Sequence, residues 1–355
     1  MANNFSLDDV TIDDDFVPSE GVLAFAGFIV ICVIFLAIVG NTLTILSFIR
    51  DKQLRTTYNI YLVNLAFADL MIAVISMVIY LTYTLRRNKW IYGYQVCKVY
   101  LVLDFTACYV TVILMNVISY DRLMLLRKGT SYYTHQGRNV AIVKVATSWI
   151  CAFLLYGPAI IGWDHWTGLD TVKPDDCDVP FAHNYVFTTT TAVLEFLLPL
   201  ICLSVLNSLV ILEIRKLRHN RVHVVEICTI QNHSTSSDEN ILRNASFRTS
   251  TQMQNKPASS KNKSTKKVKN AQKAARSLAL LVIAFMVTWA PYTFLTVVIS
   301  FCDDCVSIPV YETFTWILWF KAALNPFLYV VISVRFRENV LFFLCCGKRN
   351  IRIQH

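Results

Sequence analysis

Apolar residues gather in long unbroken runs along this chain, without the alternating or one-sided patterns of a water-soluble fold. Seven runs cover residues 22–49, 58–84, 95–126, 139–162, 183–214, 272–301 and 309–333. Each is long enough to cross a hydrocarbon core as a helix, which takes about 20 residues. Lipid offers no hydrogen bonds to the backbone, so each crossing segment must satisfy its own N–H and C=O groups. The pattern predicts an all-α membrane protein, a seven-transmembrane helix bundle over residues 21–335. An N-terminal segment, 1–20, precedes it and a tail, 336–355, follows.

Polar stretches predict the connections. Residues 218–270 are rich in Ser, Asn, Thr and Lys and poor in aromatics, which predicts a disordered loop. Its basic end, "KNKSTKKVKNAQKAAR", predicts an amphipathic helix leading into the sixth run. After the last run, "VRFRENVLFFLCCGKR" mixes apolar and basic residues at helical spacing and predicts a short amphipathic helix on the inner membrane surface. Inverted halves, the mark of many transporters, are not evident.

Composition agrees with a membrane protein: 55% of residues are hydrophobic and 16% charged. Charge sets the expected orientation. The first 20 residues carry Asp8, Asp9, Asp13, Asp14, Asp15 and Glu20 and no lysine or arginine. The loop after the first run has Arg50, Lys52 and Arg55, and the loop after the third has Arg127, Lys128 and Arg138. The positive-inside rule then places the N-terminus outside and the C-terminus inside a multi-pass plasma-membrane protein. Arg86, Arg87 and Lys89 depart from the rule in one short outer loop. The net charge of +9 implies contact with inner-leaflet lipid, not nucleic acid. The first apolar run follows an acidic segment, so no cleavable signal peptide is expected. Asn4-Phe5-Ser6 is an outer-side glycosylation sequon. Sequons at Asn232, Asn244 and Asn262 fall inside and should stay bare.

Cys97, Cys177, Cys302 and Cys305 all fall on the outer side, where two disulfides are expected. Metal binding by Cys302-Asp303-Asp304-Cys305 is an alternative that no other cluster supports. Cys345 and Cys346, at the end of the amphipathic helix, are candidates for palmitoylation, with simple packing as the alternative. Cys32, Cys108, Cys151 and Cys202 are expected to pack within spans.

Ionisable residues at membrane depth are costly and mark function. Asp69 lies in the second run, Asp104 in the third, Glu195 in the fifth and Lys321 in the seventh, with Asp121 and Arg122 at the inner end of the third. Asp104 and Arg122 are 18 residues apart, so they share one helix face about 27 Å apart. That suits a rod joining an outer cation site to an inner protein contact. Glu195 stands four residues before Pro199, with Thr191 one turn outward. Two unpaired acids facing an outer cavity would attract a small ligand with two donor ends. Trp289, Tyr292, Trp316 and Trp319 fall in the outer halves of the last two runs and could cage its ammonium. Phe105, Cys108 and Thr296 are further candidates for the ligand wall, the first two by the likeness to a known family set out below. Lys321 is expected to form a core ion pair with Asp69. Enzymatic chemistry is not indicated, since neither a nucleophile–base pair nor a metal cluster is apparent, and no cofactor is expected. A channel is disfavoured, since no second set of acids lines the inner half.

The chain resembles the rhodopsin-like G-protein-coupled receptors. The resemblance rests on Gly40-Asn41, "LAFADL" with Asp69, Cys97, Asp121-Arg122-Leu123, Trp149, Pro199, "WAPY" at Trp289–Tyr292 and "NPFLY" at Asn325–Tyr329. Within that family it is similar to the biogenic-amine receptors, and most to histamine receptors of the third and fourth subtypes. Asp104 falls seven residues after Cys97, Asp104 and Cys108 repeat an Asp-x-x-x-Cys stretch, and Glu195 precedes Pro199 by four. The resemblance implies that Asp104 holds the ligand ammonium and Glu195 accepts from an imidazole ring. It also implies that Asp121, Arg122, Asn325, Pro326 and Tyr329 serve activation and contact with a heterotrimeric G protein of the inhibitory class. The chain departs from the pattern at Phe105, Leu318, Leu123, Ala271 and above all Lys321. Alternatives are a receptor for acetylcholine or a monoamine, a peptide receptor, and an opsin-like photoreceptor. The last would place its lysine where this chain has Trp319.

Overall fold

The computed structural model describes residues 20–129, 132, 137–168, 176–238, 258–302 and 305–345. Among the described residues, seven helices are long and apolar enough to cross a membrane. They are α1 (Glu20–Arg50), α2 (Thr57–Leu85), α3 (Tyr94–Lys128), α4 (Arg138–Thr167), α5 (from Tyr185), α6 (Ala258–Phe301) and α7 (Ile308–Ile332). A short eighth helix, α8 (Val334–Leu344), follows the seventh span, as expected. Helix α3 is central and packs against α2, α4, α5 and α6, while α1 packs on α2 and α7.

The ends follow local chemistry. Thr56 accepts from the backbone N–H of Asn59 at 3.3 Å and so caps the start of α2. Helix α4 runs five residues past its expected end and stops at Gly168, whose φ of +68° suits a residue without a Cβ. The loop expected to be disordered over 218–270 is helical at both flanks. Helix α5 continues to Asp238 and α6 begins at Ala258; residues 239–257 lie outside the described residues. Extending a helix already nucleated in the membrane adds one bond per residue fixed, and strong helix formers in the basic flank favour it.

Two wide π-helical turns, invisible in the hydrophobic pattern, interrupt the spans: Ile72–Met77 in α2 and Val193–Leu197 in α5. The second has a cause in the sequence. Pro199 has no N–H to offer the carbonyl of Glu195, four residues back, and the turn widens where that bond would form. Pro326 frees the carbonyl of Ala322 in the same way, and Asn41 fills the gap by donating to it at 2.9 Å. Gly40 lets the two helices meet there, since a Cβ at this position would lie 2.8 Å from the Pro326 ring.

Among the described residues four apolar clusters form the core, the smallest of them Leu123, Val210 and Ile214 between α3 and α5. One sits at the end bearing Arg122, around Tyr61, Leu65, Leu114, Tyr329 and Phe336. Another fills the middle, around Phe285, Trp289 and Trp319. The third lies at the opposite end, around Trp90, Tyr100, Tyr156 and Phe181. Large side chains such as Phe25, Phe28, Phe35 and Phe294 stay exposed on the outer faces of the bundle, where lipid would cover them.

Disulfides join Cys97 to Cys177 and Cys302 to Cys305, so the metal alternative for the second pair falls away. Helix α8 is docked by polar contacts. Arg50 donates to Asn339 at 2.8 Å and lies 3.3 Å from the centroid of the Phe342 ring. Cys345 is half-buried at its end. Asn4 and Cys346 lie outside the described residues.

Candidate functional site

A cavity of about 480 Å³ opens at the disulfide end, walled by α2, α3, α4, α5, α6, α7 and the segment around Cys177. The bond from Cys97 to Cys177 holds that segment over the cavity. Asp176 accepts there from the Tyr83 hydroxyl at 2.9 Å. Asp104 and Glu195, both buried, reach the cavity from α3 and α5.

Seven of the ten candidate ligand residues line this space: Asp104, Phe105, Thr191, Glu195, Tyr292, Thr296 and Trp319. The other three stand behind the wall. The Cys108 thiol donates to Asp104 at 3.7 Å. Trp316 packs edge-on against Tyr80 and Trp319, with centroids 5.6 and 5.5 Å away. Trp289 lies beneath the cavity, tilted against Phe285 at 5.6 Å. These three shape the site through neighbours that touch it.

Sequence reasoning missed several wall residues. Tyr156 on α4 matters most, because its hydroxyl donates a hydrogen bond to Glu195 Oε2. Phe105 packs on the same ring with centroids 4.8 Å apart. Phe105 has no hydroxyl, so the hydroxyl at this acid comes from α4. Tyr80, Tyr100 and Tyr311 add aromatic wall, and Asp176, Asp178 and Glu312 add carboxylates. A tyrosine inside an apolar run has no signature that separates a wall residue from a packing residue. The acids were legible as acids, but the place of Asp176 and Asp178 depends on the segment tied down at Cys177, and that of Glu312 on the packing of α7.

Five carboxylates therefore line the cavity, and among the described residues no lysine, arginine or histidine does. The Trp319 indole adds an aromatic face to this space. Such a space suits a cation that carries donors and has some apolar surface.

Lys321 is the basic group beneath it, and its contacts differ from expectation. Its ammonium donates to the Thr111 hydroxyl at 2.8 Å and lies 4.8 Å from the Trp289 ring centroid. Asp69 Oδ2 instead accepts from Asn325 at 2.6 Å, and Asp69 Oδ1 has no partner. The direct Asp69–Lys321 ion pair is not formed. Asn325, one turn along α7 from Lys321, reaches α2 first, and the longer side chain turns toward α3 and α6.

At the far end of α3, Asp121 accepts from Lys144 at 2.7 Å and from Tyr132 at 2.9 Å. Arg122 turns to Tyr58. Tyr329 is buried, its hydroxyl unpartnered, and Pro326 packs against Gly40.

Comparison with known proteins agrees with this layout. The sequence profile of the seven-transmembrane receptors of the rhodopsin family matches residues 40–329. The histamine H4 receptor of Mus musculus is 29% identical, over 89% of this chain and 90% of its own length. The Homo sapiens histamine H4 receptor is 27% identical, over 91% of this chain and 92% of its own. The muscarinic acetylcholine receptor M3 of Gorilla gorilla gorilla is 34% identical, over 58% of this chain and 35% of its own.

Proposed function

The chain belongs to the rhodopsin family of seven-transmembrane receptors, within its biogenic-amine group, and we propose that it is a plasma-membrane receptor for histamine. Membership makes it a receptor and not an enzyme. The observation that carries the finer reading is the cavity itself. Asp104 and Glu195 enter it from different helices, and no basic side chain among the described residues neutralises them there. A small amine with a second donor can satisfy both. Asp104 would take the ammonium through a charge-assisted hydrogen bond, and Glu195, with one oxygen already on Tyr156, would accept the ring N–H through the other.

Signal output is proposed to pass to a heterotrimeric G protein of the inhibitory class at the opposite end, through Arg122 with Asp121, Asn325, Pro326 and Tyr329. The disulfide end then faces outside, since disulfides persist in an oxidising compartment. The basic loops face the inner leaflet. Cys345, half-buried at the end of α8, and Cys346 beyond it are the proposed acylation sites, and Asn4 the proposed glycosylation site.

A choline ester is the second reading. It is favoured by the muscarinic likeness and by the aromatic walls from Tyr80, Tyr100, Tyr311 and Trp319. The deciding experiment is a panel of amines on cells expressing the chain, read by second-messenger change and by radioligand displacement. Histamine should be more potent than acetylcholine or dopamine, and Glu195→Gln should lower histamine potency while sparing single-donor amines. Acetylcholine outperforming histamine would overturn the reading.

A further inference from the structure

Arg122 is held by a ring rather than by a carboxylate. Its guanidinium carbon lies 3.4 Å from the centroid of Tyr58. Its Nε is buried and has no hydrogen-bond partner. No ion pair to Arg122 occurs among the described residues. The nearest carboxylate along the chain, Asp121, is engaged elsewhere, with Lys144 and Tyr132 both on its Oδ1. The sequence offers no acid at the start of the sixth span, where Ala271 stands. Tyr58 is well placed to hold it. It lies in the first turn of α2, just after the Thr56 cap, and packs against the cluster containing Leu54, Tyr61, Tyr329 and Phe336.

We propose that Tyr58 is a positioning residue for Arg122, and that its ring holds the guanidinium against α2 while the receptor is unliganded. The proposal rests on the reading of Arg122 as the G-protein contact. A guanidinium stacked on a ring is held by attraction between charge and quadrupole, a weaker hold than a buried ion pair. Such a hold restrains Arg122 yet gives way when the helices shift. It also assigns work to a residue that the hydrophobic pattern places in an ordinary helix start.

The full-length chain in lipid nanodiscs tests this with three variants: Tyr58→Phe keeps the ring, while Tyr58→Leu and Tyr58→Met fill the space without one. Two readouts are needed. One is ligand-free nucleotide exchange on purified G proteins. The other is the distance between spin labels on the Arg122-side ends of α2 and α6, with no G protein present. Loss of the ring should raise ligand-free exchange about twofold to fivefold, as expected for losing one partly exposed cation–π contact. It should also lengthen the label distance, and Tyr58→Phe should match the native chain in both. Tyr58→Met gives the answer if Tyr58→Leu fails to fold. A native-like distance in the ringless variants, or a Phe variant that behaves like them, overturns the proposal. A longer distance without exchange on any G protein supports the restraint and overturns the coupling reading instead.

Discussion

The ammonium of Lys321 on α7 rests on the hydroxyl of Thr111 on α3, 2.8 Å away, and not on a carboxylate. A buried hydrogen bond to a charged group contributes about 1.5–3 kcal/mol. Thr111→Val keeps the shape and removes the acceptor, so it should lower stability by about that amount. Thermal unfolding of detergent-solubilised receptor would show it. Because the two residues act as one contact, Lys321→Met should cost less in the Thr111→Val background than in the native chain. Strictly additive losses would break the assignment.

Asp104→Asn removes the charge from the cavity while keeping the side chain's shape. A buried charge-assisted contact is worth a few kcal/mol, so amine affinity should fall by roughly a hundredfold or more. Saturation binding on a well-expressed variant is the check, and native affinity there would remove Asp104 from the amine site.

Tyr156→Phe deletes the donor to Glu195 and leaves its packing on Phe105 intact. A buried carboxylate that loses a partner costs about 1–3 kcal/mol. The expected result is a lower unfolding temperature of the unliganded, detergent-solubilised receptor. A variant as stable as the native chain without ligand would show that Glu195 has another partner.

Gly40→Ala places a methyl 2.8 Å from the ring of Pro326, and a proline ring cannot swing aside. Helices α1 and α7 must separate, and the Asn41 bond to the Ala322 carbonyl stretches with them. Overpacking of this kind costs about 1–3 kcal/mol. Surface expression and thermal stability should both fall, and an unaffected receptor would mean that the helix contact is softer than it looks.

Much of this molecule was legible before any coordinates. The seven spans follow from run length, because a helix in lipid satisfies its own backbone and needs no partner to form. The depth of Asp104, Glu195 and Lys321 follows from counting turns. The amine-group resemblance came from short motifs, and seven of the ten residues named for the ligand site line the cavity.

What the chain could not disclose by itself is which side chains meet across helices. Lys321 was expected on Asp69 and lies on Thr111. Tyr156 gave no sign that it would reach Glu195, and Tyr58 none that it would cover Arg122. Helical periodicity fixes the direction of each side chain about its own axis only. Partner choice depends on the rotation and depth of one helix against the next, and on local turns such as the wide one at Val193–Leu197 that re-aim a side chain. Those are set by the packing of the whole bundle, so only the tertiary structure decided them.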